Sequence, residues 1–512
     1  MTARPVRPTA RELIATVLDA YSFVAWKLPV ERIEASGEYA AELEAARTKT
    51  GLEESIIAGE GRVGGHRVAV VVGEFGFLGG SIGVAAATLI TAAVRRATAE
   101  KLPLLAAPVS GGTRMQEGTV AFVQMVTISA AVSDHRRAGL PYLVYLRHPT
   151  TGGVFASWGS LGHVTVAEPG ALIGFLGPRV YTAIHGDEFP PNVQTAENLF
   201  AHGLVDAVLT PNHLSTLAAS VIEAWSSRSS SSEYAELAGR AARSAIAHES
   251  STAPDTDDWN VVCQSRVHNR PGLRSVLMNA SLRPVPLSGT GQGESDPTLT
   301  LAITRFGGRG VVVLGQDRRS QTGDVALGPE ALRVAGRGIR LAEELNLPLV
   351  TVIDTPGAAL SKAAEEGGLA GEIGRCLVAL LDTHVPTVSV ILGQGTGGAA
   401  LALLPADHIL VAENGWLSPL PPEGASAIVH RDPSRAPELA RQQRIGAGHL
   451  LADGIVDEIV PEGAGLGVAM AEAITRALDS LAERDPDDRV AARRSRFASL
   501  TPHFTTTVER TS

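Results

Sequence analysis

Apolar residues occur along this chain in short runs separated by glycine-rich segments. The run at 68–72 is apolar throughout and mostly β-branched, as is typical of a strand buried on both faces. Strand, glycine loop and helix then follow one another in both halves, which predicts parallel β-α units with ligand-binding loops at the carboxyl ends of the strands. The further predicted strands are 104–108, 142–146, 164–167, 172–174, 206–209, 311–314, 350–353 and 388–392, and the predicted helices are 40–47, 84–101, 118–138, 196–202, 234–247, 333–345 and 372–381.

The chain also repeats itself. Leu102-Pro103-Leu104-Leu105, Thr151-Gly152-Gly153 and Ala167-Glu168 are matched 245 residues later by Leu347-Pro348-Leu349-Val350, Thr396-Gly397-Gly398 and Ala412-Glu413. The repeat predicts an α/β fold with two related domains and one active site built from two similar halves. The predicted segments are a helical segment 1–58, a first domain 59–225, a linker and approach segment 226–298 with an irregular stretch at 284–296, a second domain 299–485 and a charged tail 486–512 that frays.

Composition excludes several classes of protein. A net charge of −10 argues against a nucleic-acid-binding surface. The two cysteines, Cys263 and Cys376, allow neither a disulfide framework nor a cysteine-rich zinc site, so no metal is expected. The sequence has no apolar run approaching the ~20 residues of a membrane span and no signal core, which predicts a cytoplasmic protein without a membrane partner.

The glycine pairs are the main candidate chemistry. Glycine after a buried strand makes a tight turn, and it also lets backbone N–H groups approach an anionic ligand closely. Each half has a second such loop one strand earlier, Ser110-Gly111-Gly112-Thr113 and Asp354-Thr355-Pro356-Gly357-Ala358, and two converging loops favour stabilisation of an oxyanion. The sequence 393–398 fits a dinucleotide fingerprint, but the next strand begins too soon to leave room for a crossover helix.

The charged candidates have two interpretations each. Asp354 is either catalytic or, as the commoner role before Thr-Pro-Gly, turn-forming. Arg114, Glu117 and Arg179 either form positioning salt bridges or contact substrate. His148 and His163 flank the first glycine pair without metal-ligand spacing, which favours surface or core roles.

Several long motifs resemble the carboxyltransferase subunits of bacterial acetyl-CoA carboxylase. The segments 73–83, 110–117, 150–154, 167–175 and 177–180 are similar to the β subunit, and 353–358, 364–367, 393–402 and 422–426 are similar to the α subunit. The approach segment from Trp259-Asn260 to Arg270-Pro271 also resembles the α subunit. The likeness covers about residues 8–465, in the order expected if β and α were fused in one chain.

The resemblance implies two tandem crotonase-like domains. It implies transfer of a carboxyl group from carboxybiotin to the α-carbon of acetyl-CoA or another short acyl-CoA, giving malonyl-CoA for fatty acid biosynthesis. The first domain would hold the CoA thioester, and the second would receive biotin. The implied catalytic residues are Gly112, Thr113, Gly152 and Gly153 on the CoA side and Gly357, Ala358, Gly398 and Ala399 on the biotin side; the implied cofactor-binding residues are Gly79, Gly80, Arg114, Arg179, Gly395 and Gly397.

The sequence departs from the family in three places. It has no four-cysteine zinc ribbon, the second glycine pair is followed by two alanines, and Ala359-Leu360-Ser361 replaces the family's Tyr-Pro-Gly. It has no biotinylation motif and no ATP-binding carboxylase region. The expected partners are therefore a separate biotin carboxyl carrier protein and biotin carboxylase, with no covalently bound cofactor, in a homo-oligomer.

Two other functions stay open at this point. One is a biotin-independent decarboxylase acting on a malonyl thioester through the first-half loops alone. The other is a non-catalytic assembly subunit that binds CoA or a carrier protein.

Overall fold

Two large β-sheets, one in each half of the chain, organise the molecule. A computed structural model describes residues 7–28, 35, 37–175, 181–182, 186–228, 257–323, 325–463, 465–498 and 500. The predicted helix 234–247 and most of the serine-rich join at 226–232 lie outside these residues. Within the described part, no helix is both long and apolar enough to cross a membrane.

The first sheet has seven strands in the order β1-β2-β3-β4-β5-β7-β9. Strands β2 and β3 form a hairpin whose two-residue turn, Gly64-Gly65, has positive φ at both positions (54° and 82°). From β3 onward every pairing is parallel, so the carboxyl ends of the strands meet at one edge. The strands are β1 Val24–Ala25, β2 Ile56–Val63, β3 His66–Gly73, β4 Leu104–Ala107, β5 Tyr142–Leu146, β7 Val164–Ala167 and β9 Ala207–Val208; β6 Thr150–Thr151 pairs β8 Ile173–Gly174 beside it.

The second sheet repeats this plan with eight strands in the order β10-β11-β12-β13-β14-β15-β17, and β16 pairs with β14. Its hairpin, β11–β12, turns at Gly307-Gly308, again with positive φ (55° and 91°). The parallel part begins at β12. The strands are β10 Leu282–Leu287, β11 Leu299–Phe306, β12 Arg309–Gln316, β13 Leu349–Thr355, β14 Thr387–Thr396, β15 His408–Ala412, β16 Trp416–Ser418 and β17 Glu458–Val460.

Helices cover the sheets and connect the parallel strands. In the first half they are α1 Ala10–Val17, α2 Gly37–Thr50, α3 Val84–Ala99, α4 Gly118–Arg137, α5 Ala196–Ala201 and α6 Pro211–Ser226. Between the halves and in the second half they are α7 Asp258–Ser265, α8 Leu273–Met278, α9 Pro329–Leu345, α10 Lys362–Glu366, α11 Leu369–Asp382, α12 Gly397–Leu401, α13 Pro422–Val429, α14 Ala436–Gln443, α15 Ala447–Ala452, α16 Leu466–Ala482 and α17 Pro486–Ser495.

The two halves share one hydrophobic core. Buried residues of α6, such as Leu214 and Val221, belong to the same apolar cluster as Ile303 and Val312 of the second sheet. The approach is so close that a Cβ on Gly310 would lie 1.8 Å from the carbonyl oxygen of Ala224. The halves therefore pack as parts of one body.

Ion pairs also join the halves. Arg337 of α9 donates to the buried carboxylate of Asp206, with nitrogen and oxygen 2.9 Å apart. Glu344, on the same helix, accepts from Arg136 (2.6 Å) and faces Nε2 of His163 (3.1 Å). These contacts line a cavity of about 250 Å³ between the halves.

Within the described residues the predicted alternation of strands, loops and helices from residue 68 onward is confirmed, with 142–146 and 164–167 matching β5 and β7. The prediction of a helical segment 1–58 is wrong in part, because the segment also contains β1 and the first residues of β2. The prediction of irregular structure at 284–296 is wrong at its start, because β10 extends to Leu287 and pairs with β11. The prediction that the tail frays is wrong for 486–498. Arg493 of α17 is buried, binds Asp407 at 2.7 Å and donates to the carbonyl of Leu380, which fixes the helix to the second half. The domain boundaries stay predictions.

One repeated motif does not keep its register. Ala167 pairs with Leu146 in the first sheet, whereas Ile391, the counterpart of Leu146, pairs with Val411 rather than Ala412. The sequence match of Ala167-Glu168 with Ala412-Glu413 is thus displaced by one residue in the fold.

Candidate active site

Two glycine loops meet at the carboxyl edge of the first sheet. The backbone N–H of Thr151 donates to the carbonyl of Ser110 (3.1 Å), and that of Ser110 donates to Pro149 (2.7 Å). A Cβ on Gly152 would lie 3.5 Å from the Cα of Gly112. The loops after β4 and β5 are therefore in direct contact, as the sequence predicts.

The turn at Gly112 directs the next peptide into this contact. Its φ of +122° is open only to glycine, and the Ser110 hydroxyl bonds both the N–H and the carbonyl of Gly112 at 3.0 Å. The flanking groups pair with Ile82, which leaves the N–H of Thr113 on the opposite side of the strand. In the described part of the chain, that N–H has no hydrogen-bond partner.

Gly153 supplies a second N–H without a partner among the described residues. A Cβ on Gly153 would lie 3.4 Å from the hydroxyl oxygen of Thr113, so the two residues are neighbours. The predicted catalytic set is thereby divided. The N–H of Gly112 is used by Ser110, and the N–H of Gly152 donates to the carbonyls of Gly174 (3.2 Å) and Phe175 (3.0 Å). Thr113 and Gly153 keep the donors available to a ligand.

The second half forms the same arrangement. The hydroxyl oxygen of Thr355 accepts from the N–H of Gly357 (3.1 Å), whose φ is +132°. Leu327 pairs with the groups flanking Ala358, and the N–H of Ala358 faces away from that bridge. Gly398 lies in the first turn of α12, where N–H groups have no partner within the helix. Ala358 and Gly398 thus correspond to Thr113 and Gly153, and all four residues are half-buried.

Pairs of aimed N–H groups can stabilise negative charge on an oxygen atom. Each such donor contributes on the order of 10²–10³ in rate where charge develops on the substrate. The described residues of these loops offer no nucleophile paired with a base. The arrangement suits a reaction in which oxygen anions form on two bound groups.

Several predicted cofactor-binding glycines have structural reasons to be glycine. A Cβ on Gly80 would lie 2.1 Å from the carbonyl oxygen of Val109, and one on Gly395 would lie 2.6 Å from that of Trp416. Gly397 has φ +66° and mirrors Gly152 at +65°. Gly79 lines an open cleft of about 470 Å³, between α2 and the loop after β3. Ala399 is fully buried, and its carbonyl accepts from Gln316 (2.7 Å).

Of the two interpretations of Arg114, the contacts in the structure favour the positioning salt bridge. Arg114 is 1% exposed, and its guanidinium binds both oxygens of Glu54 (2.6 and 2.8 Å) and lies 3.4 Å from Glu117. It also donates to the carbonyl of Ser81 (2.8 Å). Glu117 in turn accepts from Tyr39, and burial together with this bond raises the pKa of Tyr39 to about 12. Arg114 is therefore a positioning salt bridge. Arg179 lies outside the described residues.

The side chain of Asp354 does not stabilise the turn that follows it, because the hydroxyl of Thr355 accepts the hydrogen bond from the N–H of Gly357. It is fully buried, and its Oδ1 accepts from the N–H of Gln394 (3.2 Å) while Oδ2 lies 3.6 Å from Arg318. Burial raises the pKa of Asp354 to about 6, against the opposing charges of Arg318 and Arg270. Sequence spacing gave no signal for these partners, which lie far away along the chain.

The two histidines have structural roles, His148 in a half-buried position and His163 in the core, in agreement with the predicted surface or core roles. Nδ1 of His148 accepts from the N–H of Leu172 (2.9 Å), and Nδ1 of His163 accepts from the N–H of Tyr142 (3.0 Å). Burial lowers the pKa of His163.

Fold and site define an α/β protein in which each of two repeated halves presents a pair of backbone N–H groups from two glycine loops. The chain belongs to the carboxyl transferase domain family, whose model matches residues 9–450. It is a carboxyltransferase of the biotin-dependent acyl-CoA carboxylase class.

Individual relatives agree with this family. The chain is 57% identical over 456 residues to a probable biotin-dependent acyl-coenzyme A carboxylase beta3 subunit of Mycobacterium bovis, covering 89% of this chain and 90% of that one. It is 37% identical to the acetyl-coenzyme A carboxylase carboxyl transferase subunits beta/alpha of Salinispora tropica, over 94% and 89% of the two chains. A transcarboxylase 12S crystal structure shares the fold with a TM-score of 0.74 at 20% identity, over 93% and 89% of the two chains.

Proposed function

We propose that the two halves divide the reaction between them, as two tandem crotonase-like domains. The first half binds the acyl-CoA thioester, and the second half receives carboxybiotin, which supplies the carboxyl group. The observation that carries this proposal is the repeated donor pair, Thr113 with Gly153 and Ala358 with Gly398.

Each donor pair has one task in this scheme. The N–H groups of Thr113 and Gly153 would donate to the thioester oxygen, which gains negative charge as the α-carbon loses its proton. The bond between the carboxyl carbon and N1 of biotin would break, the α-carbon would bond to that carbon, and the α-proton would end on N1. The N–H groups of Ala358 and Gly398 donate to the ureido oxygen of the biotin ring. Electrostatic stabilisation by fixed donors is the main contribution of the chain to such a reaction.

The acceptor in this proposal is a short acyl-CoA, with acetyl-CoA giving malonyl-CoA as the first candidate. Acetyl-CoA is favoured by the match to relatives named as acetyl-coenzyme A carboxylase subunits. The more similar mycobacterial protein is named only as an acyl-coenzyme A carboxylase subunit, so propionyl-CoA is the next acceptor to test.

The proposed partners are a biotin carboxyl carrier protein and a biotin carboxylase on separate chains, in the cytoplasm. The proposed assembly is a homo-oligomer. The solved transcarboxylase 12S, whose fold this chain shares, is described as a hexamer.

The test is the loss of malonyl-CoA catalysed by the purified protein, with and without free biotin or biocytin. Loss that requires biotin is the expected result, because it is carboxyl transfer run in reverse through both halves. Loss without biotin would instead identify a decarboxylase that uses the first half alone. If malonyl-CoA is not consumed, methylmalonyl-CoA is tested in the same two conditions, and failure of both substrates overturns the proposal.

A further inference from the structure

A buried ionic cluster lies beneath the second-half loops. It consists of Asp354, Arg318, Arg270 and Glu462, and is called the Asp354 cluster below. Asp354 directly precedes Thr355, whose hydroxyl sets the turn at Gly357. Its Oδ1 accepts from the N–H of Gln394, four residues before Gly398. One carboxylate therefore contacts the start of both loops that carry the donor pair.

The arginines connect this carboxylate to a third segment. Arg318 lies 3.6 Å from Asp354 Oδ2 and also donates to the carbonyls of Ser265 (2.9 Å) and Arg270 (2.6 Å). Arg270 binds the carboxylate of Glu462 and the carbonyl of Leu392 in β14. The segment around α7 is thus fixed to both strands at the point where the loops begin.

The cluster is not arranged for maximal stability. Oδ2 of Asp354 and Nη1 of Arg270 have no hydrogen-bond partner among the described residues, although Asp354 is fully buried and Arg270 is 6% exposed. A Cβ on Gly393 would lie 2.4 Å from Asp354 Oδ1 and 2.9 Å from Arg270 Nη1, so glycine is needed there to admit them. Buried charges with unused hydrogen-bonding capacity cost stability, and such groups are expected at functional sites.

The first half has an apolar residue at the position equivalent to Asp354. Val109, 245 residues before Asp354, is apolar and buried. The ionic support in that half comes from Arg114 and Glu54 instead. The charge of Asp354 is therefore specific to the second site.

We propose that Asp354 is a positioning residue for the second half: its carboxylate holds the turn at Gly357 and the strand end at Gln394 in the relative position that aligns the N–H groups of Ala358 and Gly398. This inference rests on the proposed function, in which that pair holds the biotin group.

Asp354→Asn tests the charge at constant size. A carboxylate presents acceptors to both Gln394 and the arginines, whereas an amide has one acceptor and one donor, so Asn loses one of the two contacts. With biotin-dependent loss of malonyl-CoA as the assay, we expect the KM for biocytin to rise at least tenfold. The KM for malonyl-CoA should stay within twofold, because the first half is unchanged.

Gly393→Ala is the independent second variant. Its methyl group would displace the Asp354 carboxylate without removing any charge, and we expect the same selective rise in the KM for biocytin. Asp407→Asn is the matched control: Asp407 is a buried carboxylate of the same half, bound by Arg493 and placed just before β15, at the amino-terminal end of that parallel strand. The control should lower the thermal unfolding midpoint and leave both KM values within twofold.

A pH profile separates positioning from a purely structural role. The charged groups facing Asp354 are Arg318, Arg270 and Asp317, with Glu462 bound to Arg270. The pKa of Asp354 is raised to about 6, so the charged form is lost as the pH falls through 6 and the KM for biocytin of the parent protein should rise there. In Asp354→Asn this pH dependence should be absent.

The outcomes are distinguishable. Parent turnover that needs no biotin overturns the proposed function, and the inference with it. Biotin-dependent parent turnover with an unchanged KM for biocytin and an unchanged pH profile in folded Asp354→Asn overturns the inference alone.

Discussion

The two halves hold the same backbone turns with different side chains. Gly112 and Gly357 have φ of +122° and +132°, and Gly152 and Gly397 have +65° and +66°. The hydroxyl beneath the first turn comes from Ser110 in one half and Thr355 in the other. Beyond that hydroxyl the supports diverge.

The first-half turn is supported by an ion pair between Arg114, which directly follows the loop, and Glu54, which lies 60 residues earlier in the chain. In the second half, Ala359 occupies the position equivalent to Arg114. Two other groups support the turn there: Gln321, which accepts a hydrogen bond from the Thr355 hydroxyl (2.6 Å), and the Asp354 cluster. The comparison shows that both halves keep the same positive φ angles at glycine, and with them the donor geometry, while the supporting side chains differ.

Substitution of Gly112 or Gly357 by alanine should produce the largest effect on activity. A Cβ meets no atom within 4 Å at Gly112 and makes only an ordinary contact with Thr396 (3.6 Å) at Gly357. The substitution therefore acts through the backbone, which must leave a positive φ and rotate the N–H of the next residue. We expect Gly112→Ala and Gly357→Ala each to lower biotin-dependent turnover of malonyl-CoA about 10²–10³-fold.

The controls for this pair are Gly170→Ala and Gly454→Ala. Both glycines have positive φ (61° and 75°) and open space around a Cβ, but lie outside the loops. They should lose about 1 kcal/mol of stability and retain activity. Equal activity losses in controls and site variants would contradict the assignment of the donors.

Substitution of Arg114 should lower the stability of the protein and should affect the KM of only one of the two substrates. Arg114→Met leaves the carboxylate of Glu54 buried without its partner, and we expect a loss of about 3–5 kcal/mol in unfolding free energy by urea denaturation. The double variant Arg114→Met with Glu54→Gln removes that unpaired charge and should recover part of the loss. In the folded double variant, the KM for malonyl-CoA should rise while that for biocytin does not. A rise in both KM values would contradict the proposal that the first half binds the CoA thioester and the second half binds biotin.

The smallest expected effect concerns the contact between the halves. Burial alone would raise the pKa of Glu344, but hydrogen bonds from His163 and Arg136 more than offset it and hold that pKa at about 2. A depressed carboxyl pKa contributes stability that is present above about pH 4.5 and is lost as the pH falls toward 2. Glu344→Gln should therefore be less stable than the parent at pH 7, by a margin that shrinks between pH 5 and pH 3. A constant margin across that range would contradict the ion-pair interpretation.

Sequence patterns predicted what depends on local chemistry. Continuous apolar runs located β3, β5 and β7, and glycine pairs located the turns that aim the donors. They failed where a structure depends on distant partners. Strand β10 contains two prolines and is held as an edge strand by β11, and α17 is polar because buried arginine side chains attach it.

The candidate site shows the same limit. Residue type and spacing identified all four loops but not which N–H groups stay available, because that depends on pairing with Ile82, Leu327 and Gly174. The partners of the loop side chains are distant along the chain: Gln321 is 34 residues from Thr355, Glu54 is 60 residues from Arg114, and Arg270 is 84 residues from Asp354. Without an alignment, no pattern in a single sequence connects such pairs.

The shared core has a consequence for how the protein is made. The apolar face of α6 is completed by strands β11 and β12, with Gly310 against Ala224. Those strands leave the ribosome some 70–90 residues after α6, a delay of about 4–18 s at the usual 5–20 residues per second. During that interval the nascent first half exposes the apolar face of α6 to solvent. We therefore expect its folding in the cell to depend on chaperones that bind this surface until β11 and β12 have been synthesised.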